Sequence, residues 1–221
     1  MIKLLQLMQL SDSALPIGAA AHSFGLESLA EWGLVNGESL RALVSSYLQE
    51  QALVEACYGR AAFTAALDGG DPGYLCQRFS ALKQARETRE GSICLGRRLL
   101  TLCSAMVSPR LSQALEAKFH DEDAHHVIAF GYISALLGFD EDSAVAAFLQ
   151  QTVASIVSSA QRLMPVGQRQ AAFVQWAIKN EIVDITQASR SESIWSVGSF
   201  MPLLDIASMR HPRLETRLFL S

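Results

Sequence analysis

The residues best suited to chemistry crowd into one short stretch: His120, Asp121, Glu122, Asp123, His125 and His126. On a helix, Asp121 with His125, or Glu122 with His126, would share a face four residues apart, a spacing at which an imidazole and a carboxylate can hold one divalent transition metal. This supports one reading of the chain, an all-α metal-dependent enzyme using the His120 to His126 cluster, with His120, His125 and His126 as candidate ligands. The same acids equally suit the positive end of a helix dipole, and no third and fourth ligands are identifiable. Glu122-x-x-His125 is also half of a di-iron helix motif, but that centre needs a second copy and two further glutamates. Ser13, His22 and Asp12 have the side chains of a hydrolase triad, yet no strand-turn-helix elbow is present to expose the serine. A glycine-rich phosphate loop ending in Lys-Ser or Lys-Thr is absent too, so the usual means of holding GTP is missing. These readings leave a chain with no catalytic residue and no tightly bound cofactor.

The elements that must position these residues are helical. Leu40, Leu43, Val44, Tyr47 and Leu48 make a continuous stripe at helical spacing, and Asp68 to Gly73 has the composition of a turn. Tyr74 to Glu90 predicts one amphipathic helix, with Leu75, Phe79 and Leu82 inward and Arg78, Lys83, Arg86, Glu87, Arg89 and Glu90 outward. Gly91 and Ser92 punctuate the chain before a helix over Ile93 to Met106. Ser108-Pro109 has the form of an N-cap followed by proline at the first helical position. A further helix runs from the acids at 121–123 to Leu137, closed by Gly138. The next is capped around Asp142 or Ser143 and carries Val145, Phe148, Leu149, Val153, Ile156, Val157 and Ala160 inward. Pro165 and Gly167 break it, and Gln168 to Ile185 resumes. No strand alternation appears, and Asn36-Gly37 reads as a loop into a helix. The fold class is all-α, a single domain of roughly eight to ten helices.

Composition narrows the partners. Half of the 221 residues are hydrophobic, enough for a large core and for exposed apolar patches that bind a partner or a second copy. A net charge of −4 gives no basic field for a phosphate backbone, so no nucleic acid is expected. Cys57, Cys76, Cys94 and Cys103 lack CxxC spacing and sit among apolar residues, as buried free thiols do in a reducing cytoplasm. Gln6, Gln9 and Asp12 interrupt the opening apolar run, which is unlike an export signal. The longest charge-free apolar stretch, Val127 to Phe139, is 13 residues, short of the ~18 to 20 that cross a bilayer. No membrane association is expected.

Three segments carry more pattern than helix packing requires. Leu4 to Glu27 reads LLQLMQLSDSALPIGAAAHSFGLE, in which Ser11, Asp12 and Ser13 can cap, Pro16 and Gly18 enforce a turn, and His22, Ser23 and Gly25 precede a helix. Ser155 to Gln168 reads SIVSSAQRLMPVGQ, containing Arg162, Pro165, Gly167 and Gln168. Pro202 to Ser221 reads PLLDIASMRHPRLETRLFLS. Together these resemble the urease accessory protein F (UreF) family, whose pattern runs QLSDSALPIG…HSxGLE, SAxRLxPLGQ and PxxDIASMxHExLxxRLFRS. Ala85 to Leu100 adds weaker similarity, so the resemblance covers effectively the whole chain, with Ser11, Asp12, Pro16, Gly18, His22, Ser23, Gly25, Glu27, Arg162, Pro165, Gly167 and Gln168 as its structural signature.

That resemblance implies an all-helical cytoplasmic homodimer, a non-catalytic scaffold in nickel insertion into urease. It would bind urease accessory protein D (H in some organisms), recruit the GTPase accessory protein G and dock on apo-urease, with nickel and GTP handled by those partners. The resemblance also assigns the C-terminal segment to recognition of the D-type partner, which points at Met209, His211, Arg217, Leu218 and Phe219. Arg210, Arg213 and Arg217 against Glu215, with Leu218, Phe219 and Leu220 as apolar anchors, suit a docking tail. Arg86 and Arg89, one turn apart, could grip an acidic partner jointly. Four positions depart from the family pattern: Leu220 replaces an arginine, Pro212 an acid, Val166 a leucine, and Phe24 stands where glycine is frequent.

Overall fold

The apolar run after His125 becomes the axis of the molecule. A computed structural model describes residues 1–119 and 124–220; the expected acids at the start of this helix, and His120, lie outside the described residues. The chain forms α1 (Ile2–Leu10), α2 (Leu26–Glu31), α3 (Leu40–Tyr47), α4 (Leu53–Leu67), α5 (Gly73–Leu82), α6 (Arg86–Met106), α7 (Pro109–Lys118), α8 (His126–Leu136), α9 (Glu141–Leu163), α10 (Gln168–Ala177), α11 (Lys179–Ala188) and α12 (Pro202–Arg210). A π turn at Leu48–Ala52 joins α3 to α4, and only Ile178 separates α10 from α11. Counting each joined pair as one rod gives ten among the described residues, with no strand, in line with the all-α expectation.

Every residue from His126 to Ala135 is buried, so α8 is apolar all round because it has neighbours all round. α4 crosses it where Gly131 meets Gly59, and a Cβ on Gly131 would run into the Gly59 carbonyl. On another side α6 approaches through Gly96, whose missing Cβ leaves room for the Ala124 carbonyl. The two glycines let backbones touch, which stabilises by close dispersion contact what their flexibility costs in entropy. α9 borders α8 and also contacts α10, α11, α2 and α3. By length and composition α9 could cross a membrane, but half of its apolar window faces the interior of the bundle.

Several boundaries differ from the sequence expectation, among them the helix expected over Gln168 to Ile185, which Ile178 divides into α10 and α11. The single helix expected over Tyr74 to Glu90 is two, broken at Lys83–Ala85, where the Arg89 guanidinium donates to the Lys83 carbonyl at 2.9 Å and the Thr88 hydroxyl to the Ala85 carbonyl at 2.9 Å. α6 then runs straight through Gly91 and Ser92, both buried within the helix rather than marking a break. α9 begins earlier than expected, capped by Asp140, whose carboxylate accepts from the Ser143 N–H at 2.9 Å. Asp142 is held instead by Arg60 and Arg190, and the nearly buried Arg60 also pairs with Glu141 at 2.9 Å.

Candidate functional site

Glu27 is the point on which the first and last motifs meet. It lies in α2, buried at 6% exposure, and its carboxylate accepts from the Leu218 N–H at 2.6 Å and the Phe219 N–H at 3.3 Å. His211 Nε2 lies 2.7 Å from the same carboxylate, with the imidazole 1% exposed. A charged acceptor and buried donors make these strong bonds. α12 can descend onto α2 only because residue 25 is glycine. Gly25 has φ +91°, and a Cβ there would sit 2.6 Å from the Ser208 hydroxyl and 2.9 Å from the Leu204 carbonyl. Phe24, next to it, has φ +49°, the one non-glycine left-handed residue among those described, which is the physical reason glycine suits that position; its ring stacks on His22 at 5.5 Å.

The middle motif closes the same knot. The Arg162 guanidinium donates to the Ala20 carbonyl and lies 5.5 Å over the Phe219 ring. The Leu220 N–H donates to the Ala21 carbonyl at 2.8 Å, and Phe219 is buried at 5% exposure between these groups. Gly18, at φ +83°, turns the chain so that Arg98 can reach the Ile17 carbonyl at 3.3 Å. Upstream, the Ser11 hydroxyl bonds the Leu7 carbonyl at 2.8 Å, Asp12 accepts from the Ala14 N–H at 2.8 Å, and the exposed Pro16 completes the turn. Gln151 of α9 fastens this segment by donating to the Leu10 and Asp12 carbonyls. The buried Ser23 leads into α2, Pro165 is exposed after α9, and Gly167 and Gln168 start α10.

The docking residues expected in the tail therefore separate into two sets. His211 and Phe219 point inward and hold the strap down, while Met209, Arg217 and Leu218 are exposed, with Leu218 and Leu220 at 71% and 68%. Arg86 is exposed and pairs with Glu90 at 3.1 Å, whereas Arg89 turns back to the Lys83 carbonyl. The two arginines thus engage different groups of the chain.

Of the candidate metal ligands, the two described, His125 and His126, turn to different surroundings. Both ring nitrogens of His125 are engaged, Nε2 with the Ser80 hydroxyl at 2.7 Å and Nδ1 with the Ser92 hydroxyl at 3.1 Å, and the ring meets Phe79 edge-on. Burial, with Lys83 and Arg89 nearby, pushes its pKa down to about 3. His126 packs against Phe130 and Phe148, and burial lowers it to about 4. Among the described residues no group of three or more His, Cys, Asp or Glu side chains is placed to hold a metal. The cysteines are free thiols, and burial pushes Cys57 up to about 11 and Cys103 to about 12, far from a reactive thiolate.

Sequence reasoning missed one feature, a cavity of about 130 Å³ between α2, the π turn, α6, α9 and α12. Its polar wall includes Glu55, Lys83, Gln151 and Asp205, scattered over three helices and the α5–α6 link with no local pattern to betray them.

The fold and this site define an all-helical protein whose signature residues, among those described, fasten segments of the chain to one another. The UreF family model matches residues 34–179. The chain is 35% identical over 98% of its length to a urease accessory protein UreF of Paenarthrobacter aurescens, covering 97% of that protein. It is 29% identical to one of Bacillus sp. over the whole of both chains, and 31% identical to one of Corynebacterium glutamicum over 97% and 96% of the two chains. The chain belongs to the UreF family of urease accessory proteins. That role implies partners in urease maturation, and it is not that of an enzyme.

Proposed function

We propose that this chain is a cytoplasmic, homodimeric scaffold for nickel insertion into urease, bridging a D/H-type accessory protein and the G-type GTPase on apo-urease. It binds neither nickel nor GTP tightly; the partners handle both. The observation that carries this reading is the strap at 214–220, which is fixed from beneath by Glu27 and Phe219 and presents Leu218, Leu220 and Arg217 outward. Exposed apolar side chains on a backbone that is already ordered lose little entropy on binding, the arrangement typical of a docking anchor.

The test mixes the purified chain with the D/H-type and G-type proteins and follows co-elution. Wild type should form one complex. Removing Met209 to Ser221 should abolish D/H binding, and Leu218→Asp with Leu220→Asp should do the same while leaving helicity intact. Normal D/H binding by the double variant would overturn the assignment of the tail.

A further inference from the structure

The cavity has a wall with distinct chemistry. Its apolar part is formed by Leu43, Leu82, Leu95, Val127, Ile156 and Leu204, and the rings of Phe24, Tyr47 and Phe148 also face it. Among the described residues, two carboxylates, Glu55 and Asp205, line it against one lysine, Lys83, and no arginine. Burial lowers the pKa of both His22 and His126, with the Arg98 guanidinium adding to the effect at His22, and the two carboxylates outnumber the one lysine of the described lining. Glu55 is 8% exposed; one oxygen accepts from the Tyr47 hydroxyl at 2.5 Å, while the other has only long contacts of 3.5 Å to Gln51 and Lys83. Among the described residues no hydrogen bond reaches the Asp205 carboxylate, and burial raises its pKa against the pull of Lys83.

Among the described residues, three buried polar atoms of the lining residues lack partners: Gln151 Oε1, His126 Nε2 and Ser23 Oγ. Gln151 is 1% exposed, and because its amide nitrogen donates to Leu10 and Asp12, its Oε1 is left as an unfilled acceptor. His126 Nε2 is likewise unpartnered. A buried polar atom without a partner costs free energy that a ligand can return. A cavity of about 150 Å³ takes one benzene ring, so this one suits a molecule of about five to seven heavy atoms. A donor-rich cationic head answers the carboxylates, the open amide oxygen and the aromatic faces together, and a short hydrocarbon body answers the apolar wall.

We propose that this cavity is a binding site for a small organic ammonium ion, its charged head toward Glu55 and Asp205 and its hydrocarbon body against Leu43, Ile156 and Leu204. Lys83 shows the wall's preference, since its own alkylammonium already lies 3.5 Å from Glu55 and 4.9 Å from the centre of the Phe79 ring. A metal ion fits less well, because the lining carboxylates and histidines include no group of three positioned as ligands among the described residues.

The experiment titrates full-length protein with butylammonium chloride, followed by calorimetry and saturation-transfer NMR, with 1-butanol as the neutral isostere. Binding should be in the millimolar range and about tenfold or more tighter than for 1-butanol. Asp205→Asn should weaken the cation about tenfold and leave 1-butanol unchanged, and Ser155→Phe, which fills the cavity from α9, should abolish both, with helicity and thermal midpoint recorded for each variant. Equal affinity for the two probes would show an apolar hole only and overturn the proposal. So would an unchanged Kd in Asp205→Asn, or displacement of butylammonium by an equal concentration of Ni²⁺.

Discussion

Replacing Glu27 with alanine should release the strap while leaving the bundle folded. Ordering the seven residues Leu214 to Leu220 costs about 1–2 kcal/mol each, roughly 10 kcal/mol together. Against this stand three bonds to a buried carboxylate, from His211, Leu218 and Phe219, worth about 1.5–3 kcal/mol apiece. Burial of Phe219 contributes about 2 kcal/mol, and the Leu220 bond to Ala21 with the Arg162 contact about 2 kcal/mol more. With the bonds to Glu27 at the upper end of that range the docked strap is favoured by about 3 kcal/mol, and the carboxylate supplies more than half of the favourable side. Without it the docked strap is unfavourable by several kcal/mol. Hydrogen exchange read by mass spectrometry should show the amides of 218–220 approaching unprotected rates, and trypsin should cut at Arg213 and Arg217 at least a hundredfold faster. Protection in α4 and α8 should be unchanged. Glu27→Gln, which keeps one acceptor, should fall between. If Glu27→Ala retained wild-type protection at 218–220, the carboxylate would not be the latch and the reasoning would fail.

Three further outcomes follow from the same geometry. Gly25→Ala places a methyl against Ser208 and Leu204 at a left-handed φ, so α12 should undock at a cost of about 3 kcal/mol, detected as accelerated exchange confined to 204–211. Gly131→Ala should lower the thermal midpoint by about 4–8 °C, from a net loss of about 2 kcal/mol at the α4–α8 crossing despite alanine's better helix propensity. His125 and His126 are held neutral in the fold, with pKa values near 3 and 4 against 6.5 unfolded, so the unfolded chain binds more protons below pH 6.5. Their contribution is fully present above that pH and declines as pH falls, toward 4 for His126 and toward 3 for His125, by about 2 kcal/mol for each histidine between pH 6.5 and 5; chemical denaturation at stepped pH measures it, and His126→Phe should flatten the slope.

Helix content and the core faces of α3 and α9 were legible because burial imposes a 3.6-residue period that survives in single-sequence patterns. Leu40, Val44 and Tyr47, or Phe148, Leu149, Val153 and Val157, are buried as their spacing required. Gly91 misled because glycine serves both breaks and close helix contacts, and the sequence does not say which neighbour it will meet. The three motifs were recognisable as pattern, but their convergence was not, since Glu27 and its partners lie 184 to 192 residues apart. His125 looked like a ligand because its serine partners, Ser80 and Ser92, come from two other helices. The cavity was invisible for the same reason.

The carboxylate of Glu27 also sets an order in time. At about 5–20 residues per second on the ribosome, roughly 10 to 40 s pass between the synthesis of α2 and that of residues 211–219. Throughout that interval a buried-type acid waits in a half-built surface without its donors, and the helices from α3 to α11 must assemble around the gap. The N-terminal turn is thus a late-maturing part of the molecule, and any quality-control protease that samples nascent chains would find its opening there.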